Sequence, residues 1–422
     1  MAYTETTSVS WLERLGSSFR NIGVGIVLIV AGTILLWWNE GNFVATRDAL
    51  TEARAVTQEL GDITQLDTAK NGQLVHAAGA VETKDMLSDP VFGLSINAIR
   101  LERSVEFYQW VEDSKSEKKK KLGGGEETVT TYTYAAKWTA HPVDSSGFKD
   151  PKARTENRNV VLAAMENFKV QAANVSFGAY RLPDFMVNSI GGGAPVAVAL
   201  PEATKTALNK QMTLAAQQAK AALPQVQRPE GVDLVSVSGD TVFLGASPGM
   251  PQIGDVRVSF KETKPGVASI LAQVNGNTFE QYHARNGKTV GMLSMGTHSL
   301  ENMYGDAQSA NATMTWILRL VGLLLVVFGL KMIVAPLEVL ASFIPLLGSI
   351  VGAGTGLVSA LLGFSWSLVV VSIAWLRFRP VVGIVMLVAA GVLIGLLHGR
   401  GRARKAAIAQ AAATKTAGSA EN

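Results

Sequence analysis

The sequence predicts an α+β multi-pass membrane protein, with one N-terminal and three C-terminal transmembrane helices flanking a large β-rich extramembrane domain with helical insertions. Three observations carry this. Between Leu320 and Leu376 the only charged residues are Lys331 and Glu338, and only a lipid solvent accounts for so much uncovered hydrocarbon. A second apolar stretch, Ile22–Trp38, stands near the N-terminus. The long segment between the two is polar, with alternating, turn-punctuated runs typical of strands.

Composition narrows the function classes. The hydrophobic fraction of 48% averages over strongly segregated regions of the 422-residue chain. The net charge is only +4, and much of it sits in Arg400, Arg402, Arg404 and Lys405 of a basic 399–422 tail. That placement fits membrane orientation rather than nucleic-acid binding, which needs a basic face on the folded domain. Cysteine is absent, which excludes disulfides, thiolate catalysis and cysteine-ligated zinc.

Residues 1–21 are polar, with Trp11, Leu12, Leu15 and Phe19 at helical spacing, and predict an amphipathic N-terminal segment on the membrane surface. The first span, 22–38, is about 17 residues, near the lower limit for a ~30 Å hydrocarbon core. It lacks a basic leader and an A-x-A site and ends in Trp37-Trp38, so it reads as an uncleaved anchor rather than a signal peptide. Residues 42–312 form the expected exoplasmic α+β domain. It opens with a helix over Asn42–Gln65, and strands follow at Leu74–Val81, Ala98–Val111, Val129–Ala140, Leu234–Leu244, Val256–Glu262, Ala268–Val274 and Val290–Ser294. Helices are expected over Val160–Lys169 and over Glu202–Leu223, the latter bounded by Pro201 and Pro224. Ala98–Val111 and Val129–Ala140 suggest a hairpin whose tip carries Lys118 to Lys121, either solvated or touching anionic headgroups. Leu74-Val75-x-x-x-Gly79 recurs as Leu234-Val235-x-x-x-Gly239, which raises the idea of an internal duplication.

The second span is 313–334. Arg319 lies inside it, placed either to snorkel to headgroups or to pair with Glu40, which closes the first span on the same side. Residues 335–352, broken by Pro336 and Pro345, read as an interfacial or re-entrant hairpin. Spans at 353–376 and 381–398 follow. Gly348, Gly352, Gly356 and Gly391, Gly395, Gly399 recur every fourth residue and make flat stripes for helix packing, within one chain or between chains. Four crossings with a basic tail place both termini in the cytoplasm and the domain outside it.

No chemistry-bearing motif appears. The five histidines are scattered, and no H-E-x-x-H, G-x-S-x-G or phosphate-binding loop is present. The spans beyond Arg319 are nearly empty of ionisable groups, against a solute pathway through one chain. No catalytic residue, cofactor or metal site is predicted. Tyr108, Trp110, Tyr132, Tyr134 and Trp138 lie on the hairpin arms, as cross-strand packing or as an interaction surface.

An ordered series of short motifs spans the chain: Asn39-Glu40-Gly41, Gly72-x-Leu74-Val75-His76-x-x-Gly79, Leu87-Ser88-Asp89-Pro90-x-Phe92-Gly93, Leu101-x-Arg103-x-Val105-Glu106-x-Tyr108-Gln109-Trp110, Thr131-Tyr132-Thr133-Tyr134, Gly254-Asp255-x-Arg257-Val258-Ser259-Phe260, Thr315-Trp316-x-Leu318-Arg319-x-x-Gly322 and Arg379-Pro380. As a set it resembles the transmembrane protein 43 (LUMA) family. The resemblance implies four spans, an exoplasmic domain, self-association into a homo-oligomer, and a non-enzymatic role in organising other membrane proteins in the lipid bilayer. An Ala-rich, Cys-free chain with a divergent basic tail suits a bacterial member in the cytoplasmic membrane with a periplasmic domain; a eukaryotic one would place the domain in the endoplasmic reticulum lumen. The expected function is therefore a non-enzymatic membrane scaffold, and the alternative is a lipid-handling or envelope-stress factor with an unrecognised hydrolytic site.

Overall fold

In the computed structural model, Ser10 opens the first and longest helix, accepting the Glu13 N–H on its Oγ at 3.2 Å. The residues described are 2–222 and 231–378, with positions 384, 385, 388, 389, 391 and 392. The helices are α1 (Trp11–Val56), α2 (Pro151–Glu156), α3 (Asp184–Ser189), α4 (Glu202–Ala222), α5 (Leu300–Ala341) and α6 (Pro345–Phe378). Two compact units result: the described residues of 2–6, 49–117 and 129–306 in one, and those of 7–48, 118–128 and from 307 onward in the other.

In the membrane unit, α1, α5 and α6 are long and apolar enough to cross a bilayer. α1 and α5 run antiparallel and touch through glycines. A Cβ added at Gly25 would stand 2.7 Å from the Gly329 carbonyl, and one at Gly32 would stand 2.9 Å from that of Gly322. Both pairs recur seven residues apart, so they return to one face every two turns. Asn39 Nδ2 donates to the Thr315 carbonyl at 3.1 Å and Asn311 Nδ2 to that of Phe43 at 3.0 Å, extending the same register.

α6 folds back on α5 with Gly363 facing Val327 and Gly352 facing Glu338. The predicted glycine stripe is thus used unevenly. Gly348 abuts Ser342 and Gly352 meets Glu338, but a Cβ at Gly356 or Gly391 would touch nothing within 4 Å. Gly395, Gly399, most of the 381–398 span and the 399–422 tail lie outside the described residues. Leucine at Gly329 is expected to cost about 1–3 kcal/mol by overpacking, whereas leucine at Gly356 should be neutral. Thermal retention of monodisperse protein in detergent compares the two, and equal losses would contradict this packing.

Several expectations change here. Residues 1–21 are not one amphipathic helix. Ala2–Val9 is a strand joined to Glu126–Thr139, and the helix starts at Trp11 and runs without a break through the span. The Ser10-x-x-Glu13 capping box and the β-branched threonines before it are the local signals. The proline-broken stretch 335–352 is the tip of the α5–α6 hairpin. α5 continues past Pro336 to Ala341, and Pro345 takes the first position of α6, where it forfeits no helical bond. The Lys118–Lys121 run closes a β-ribbon, and three of its four lysines meet carboxylates: Lys118–Glu126 at 3.2 Å, Lys120–Glu338 at 3.2 Å, and Lys121 with Glu127. The ribbon tip is fixed by Gly123 N–H on the Phe343 carbonyl at 3.2 Å and by Arg14 Nη1 on the Gly124 carbonyl at 2.5 Å.

The extramembrane unit holds an eight-stranded and a seven-stranded sheet. Strand Arg100–Lys120 pairs antiparallel with Val256–Thr263, Phe107 opposite Val256 and Arg100 opposite Thr263. In the second sheet Leu74–Thr83 pairs antiparallel with Gly266–Asn275. Inward residues of both sheets, among them Val75, Leu101, Val105, Val258, Phe260 and Ile270, share one core with Leu208, Met212 and Ala216 of α4. Within that core Arg103 Nη1 donates to both oxygens of Asp89 at 2.8 and 2.7 Å, and Asp89 is fully buried.

Three domain expectations are corrected. Val160–Lys169 is not helical. Asn159 and Asn167 at its ends spend their side chains on the backbone of strand Arg100–Lys120, at Trp110 and Val105, and tertiary pairing overrides local propensity. Leu234–Leu244 is a hairpin, Val235–Ser238 and Thr241–Leu244, turned at Gly239 with φ +61°. The helix expected over Asn42–Gln65 belongs to α1 and stops at Val56, after which Gln58–Glu59 pairs parallel with Leu74–Thr83. The internal duplication fails on topology. Leu74–Thr83 and the Arg100 strand lie in different sheets, whereas their would-be equivalents, the hairpin 235–244 and the Arg257 strand, lie side by side in one.

Candidate functional site: a buried ion pair and an aromatic sheet face

Glu40 lies on α1 one residue beyond Asn39, and the glycine-mediated approach of α5 brings Arg319 against it. Arg319 Nε donates to Glu40 Oε1 at 2.6 Å and Nη2 to Oε2 at 2.8 Å, a bidentate fork. Glu40 is fully buried. The indole N–H of Trp375 on α6 donates to the same carboxylate, so three helices meet on one side chain. The guanidinium lies 4.7 Å from the Trp316 ring centre and 5.8 Å from that of Trp375, and Phe43 stacks on Trp375. Charge, fork geometry and ring quadrupoles thus hold a cation that hydrocarbon alone would reject. Trp375 was not singled out in the sequence.

The aromatic residues share one face of the eight-stranded sheet, the face opposite the core. Tyr108 and Trp110 on one strand, and Tyr132, Tyr134 and Trp138 on its neighbour, all sit at even positions, so the pleat turns them the same way. The far end of this face is covered. Tyr134 packs on Phe148, and its hydroxyl donates to Glu112 Oε2 at 2.6 Å while accepting the Asp150 N–H at 3.0 Å. Asp150 in turn caps α2. The near end is half-open: Tyr108 and Trp138 pack at 5.2 Å, and Arg257, held by Glu106, lies 4.5 Å above the Trp138 ring.

Burial, with the Glu112 carboxylate beside it, pushes the Tyr134 hydroxyl up to about 12. An unfolded tyrosine ionises near 10, so above that pH the unfolded chain gains the proton-loss energy first. The contribution of Tyr134 is whole below pH ~10 and is lost progressively up to about 12. Unfolding free energy measured against pH for the protein and for Tyr134→Phe is expected to show the steeper alkaline fall only with tyrosine present.

Among the described residues the histidines do not converge on a reactive centre. His76 contacts Glu59 of the neighbouring strand at 2.9 Å and the His298 carbonyl, in the loop before α5, at 3.0 Å. Among the described residues no group of three or more His, Asp or Glu side chains is placed to hold a metal ion.

A sequence model of the family described as Transmembrane protein 43 matches residues 107–380, from the aromatic strands through α5 and α6. The chain belongs to the transmembrane protein 43 family. Over 387 residues it is 27% identical to Transmembrane protein 43 of Rattus norvegicus, covering 89% of each chain. Identity to the Homo sapiens protein is 25% over 402 residues, 93% of this chain and 92% of that one. The Transmembrane protein 43 homolog of Drosophila melanogaster is 28% identical over 394 residues, covering 89% and 94%. No solved structure matches. The family match takes in Arg319, Trp316 and all five aromatic residues of the sheet face.

Proposed function

We propose that this member of the transmembrane protein 43 family is a non-enzymatic scaffold, which self-associates and organises other membrane proteins beside the bilayer. The observation that carries the reading is the half-open aromatic face. Tyr108, Trp110, Tyr132 and Trp138 are each only partly buried, on the sheet side that the core does not use. Flat surfaces of tyrosine, tryptophan and arginine bury large area at small entropic cost and are enriched at protein interfaces. The spans and the Glu40–Arg319 clamp then serve as anchorage, and the basic tail favours a domain facing away from the cytoplasm.

A lipid-handling role draws on one feature, an open cleft of about 880 Å3 lined by Val105, Phe107, His141, Met165, Glu166 and Asn167. No hydrogen bond among the described residues joins a hydroxyl to a histidine ring there, so the scaffold reading stands first. Because the chain has no cysteine, single cysteines report contacts cleanly. Cysteine at Tyr132 is expected to cross-link into defined larger species in intact membranes, and cysteine at the exposed Thr155 is not. Equal behaviour of the two, or no product from either, would remove the support for a docking face.

A further inference from the structure

The membrane unit contains a groove between α1, α5 and α6 of about 290 Å3, lined by Leu36, Trp316, Arg319, Leu323, Phe364 and Ser367 among others. Its walls are hydrocarbon apart from Arg319, Ser367 and the indole of Trp316 at its headgroup end. Arg319 spends Nε and Nη2 on Glu40, and its Nη1 has no acceptor among the described residues. Ser367 is 7% exposed, and its hydroxyl is buried with no partner. A polar hydrogen left unpaired in hydrocarbon is costly, so the Ser367 hydroxyl calls for an acceptor, and the Nη1 hydrogens of the half-buried Arg319 remain to take one from the lipid side.

Their spacing says which. Gly363 opposite Val327 and Gly352 opposite Glu338 set an antiparallel register that puts Ser367 level with Leu323. That is one turn deeper than Arg319, about 5.4 Å along the helix. Trp316 is 67% exposed, and with Trp37 and Trp38 it marks the headgroup level one turn above Arg319. A glycerophospholipid presents its acceptors in this order on entering the bilayer: a phosphodiester oxygen, then an ester carbonyl about a turn beneath, then an acyl chain.

We propose that the groove is a binding site for one glycerophospholipid drawn from the bilayer. Arg319 Nη1 donates to the phosphodiester, the Ser367 hydroxyl donates to an ester carbonyl, and the acyl chain lies along Leu323 and Phe364. Since Glu40 neutralises Arg319, the site reads phosphate and ester rather than headgroup charge. The inference is independent of the scaffold reading, which concerns the aromatic sheet face.

The test uses the full chain in mild detergent and native mass spectrometry, with equal amounts of a diester phosphatidylglycerol and its dialkyl-ether counterpart of the same chains. The protein is expected to retain one lipid, the diester several-fold over the ether. Ser367→Ala should lose that preference. Leu323→Trp, which fills the groove without touching the ion pair, should retain neither lipid at an unchanged melting temperature. Retention of many lipids with no ester preference would mean ordinary annular solvation and overturn the site. So would quantitative cross-linking of a Leu368→Cys, Val388→Cys pair in membranes, because the chain's own following segment would then occupy the groove.

Discussion

Glu40→Ala is expected to abolish accumulation of monodisperse protein, because it strands the half-buried Arg319 in an apolar setting. Removing one partner of a buried ion pair costs about 3–5 kcal/mol, and here the carboxylate also accepts the Trp375 indole N–H. Glu40→Arg and Arg319→Glu should each fail in the same way. The double reversal should recover only part of the loss, because the rings of Trp316 and Trp375 favour a cation at position 319 and repel a carboxylate. Fluorescence-detected size exclusion of the four variants decides the matter. A Glu40→Ala protein that matches the parent in yield and heat resistance, or a double reversal no better than its singles, would show that the fork contributes nothing.

The second large effect is expected at Asp89. Its Oδ1 accepts the N–H groups of Val91 and Phe92, at 2.9 and 3.0 Å, and both oxygens accept from Arg103. Arg103 is further held between the rings of Phe92 and Phe168, and its Nη2 reaches the Glu166 carbonyl at 3.0 Å. Asp89→Ala removes all four bonds and leaves a buried cation, again about 3–5 kcal/mol. Asp89→Asn keeps an acceptor for the turn and should lose less. Pairing Asp89→Ala with Arg103→Met should restore much of the stability, since the uncompensated charge goes with the arginine. Denaturant titration followed by circular dichroism ranks these variants; an Asp89→Ala loss below about 0.5 kcal/mol, the range of ordinary surface changes, would count against this account.

Legibility in the sequence followed the range of the forces involved. Membrane helices declare themselves through local hydrophobicity, and α4 through two prolines. The strands on either side of the lysine run were visible from alternation, and the even-numbered aromatic residues followed from the same period. Long-range pairings were not visible. Asp89 and Arg103 stood in separate motifs with nothing to join them. Trp375 looked like one more apolar residue in a span. The four-residue glycine repeat drew attention to Gly356, where an added Cβ would meet nothing within 4 Å, while the heptad-spaced Gly25, Gly32, Gly322 and Gly329 carry the close approach. That seven-residue spacing was present in the sequence and would have been found by comparing two helices rather than scanning each alone. Val160–Lys169 misled because two asparagines took up partners far away in the chain.

The shared register of α1 and α5 has a consequence for the lipid around them. Trp38 stands level with Trp316, and Lys331 stands level with Gly23 at the other end. From Trp316 to Lys331 is fifteen residues, about 22 Å of helix at 1.5 Å per residue, against ~30 Å for an average hydrocarbon core. Past Lys331, however, exposed Leu337, Leu340, Phe343, Leu346 and Ile350 carry the apolar surface on. A bilayer of ordinary thickness is therefore met when the Lys331 stem lies along the helix and its ammonium reaches the headgroups. The alkyl stem then covers hydrocarbon while the charge stays wet, and the helix pair requires no thinning of the membrane around it.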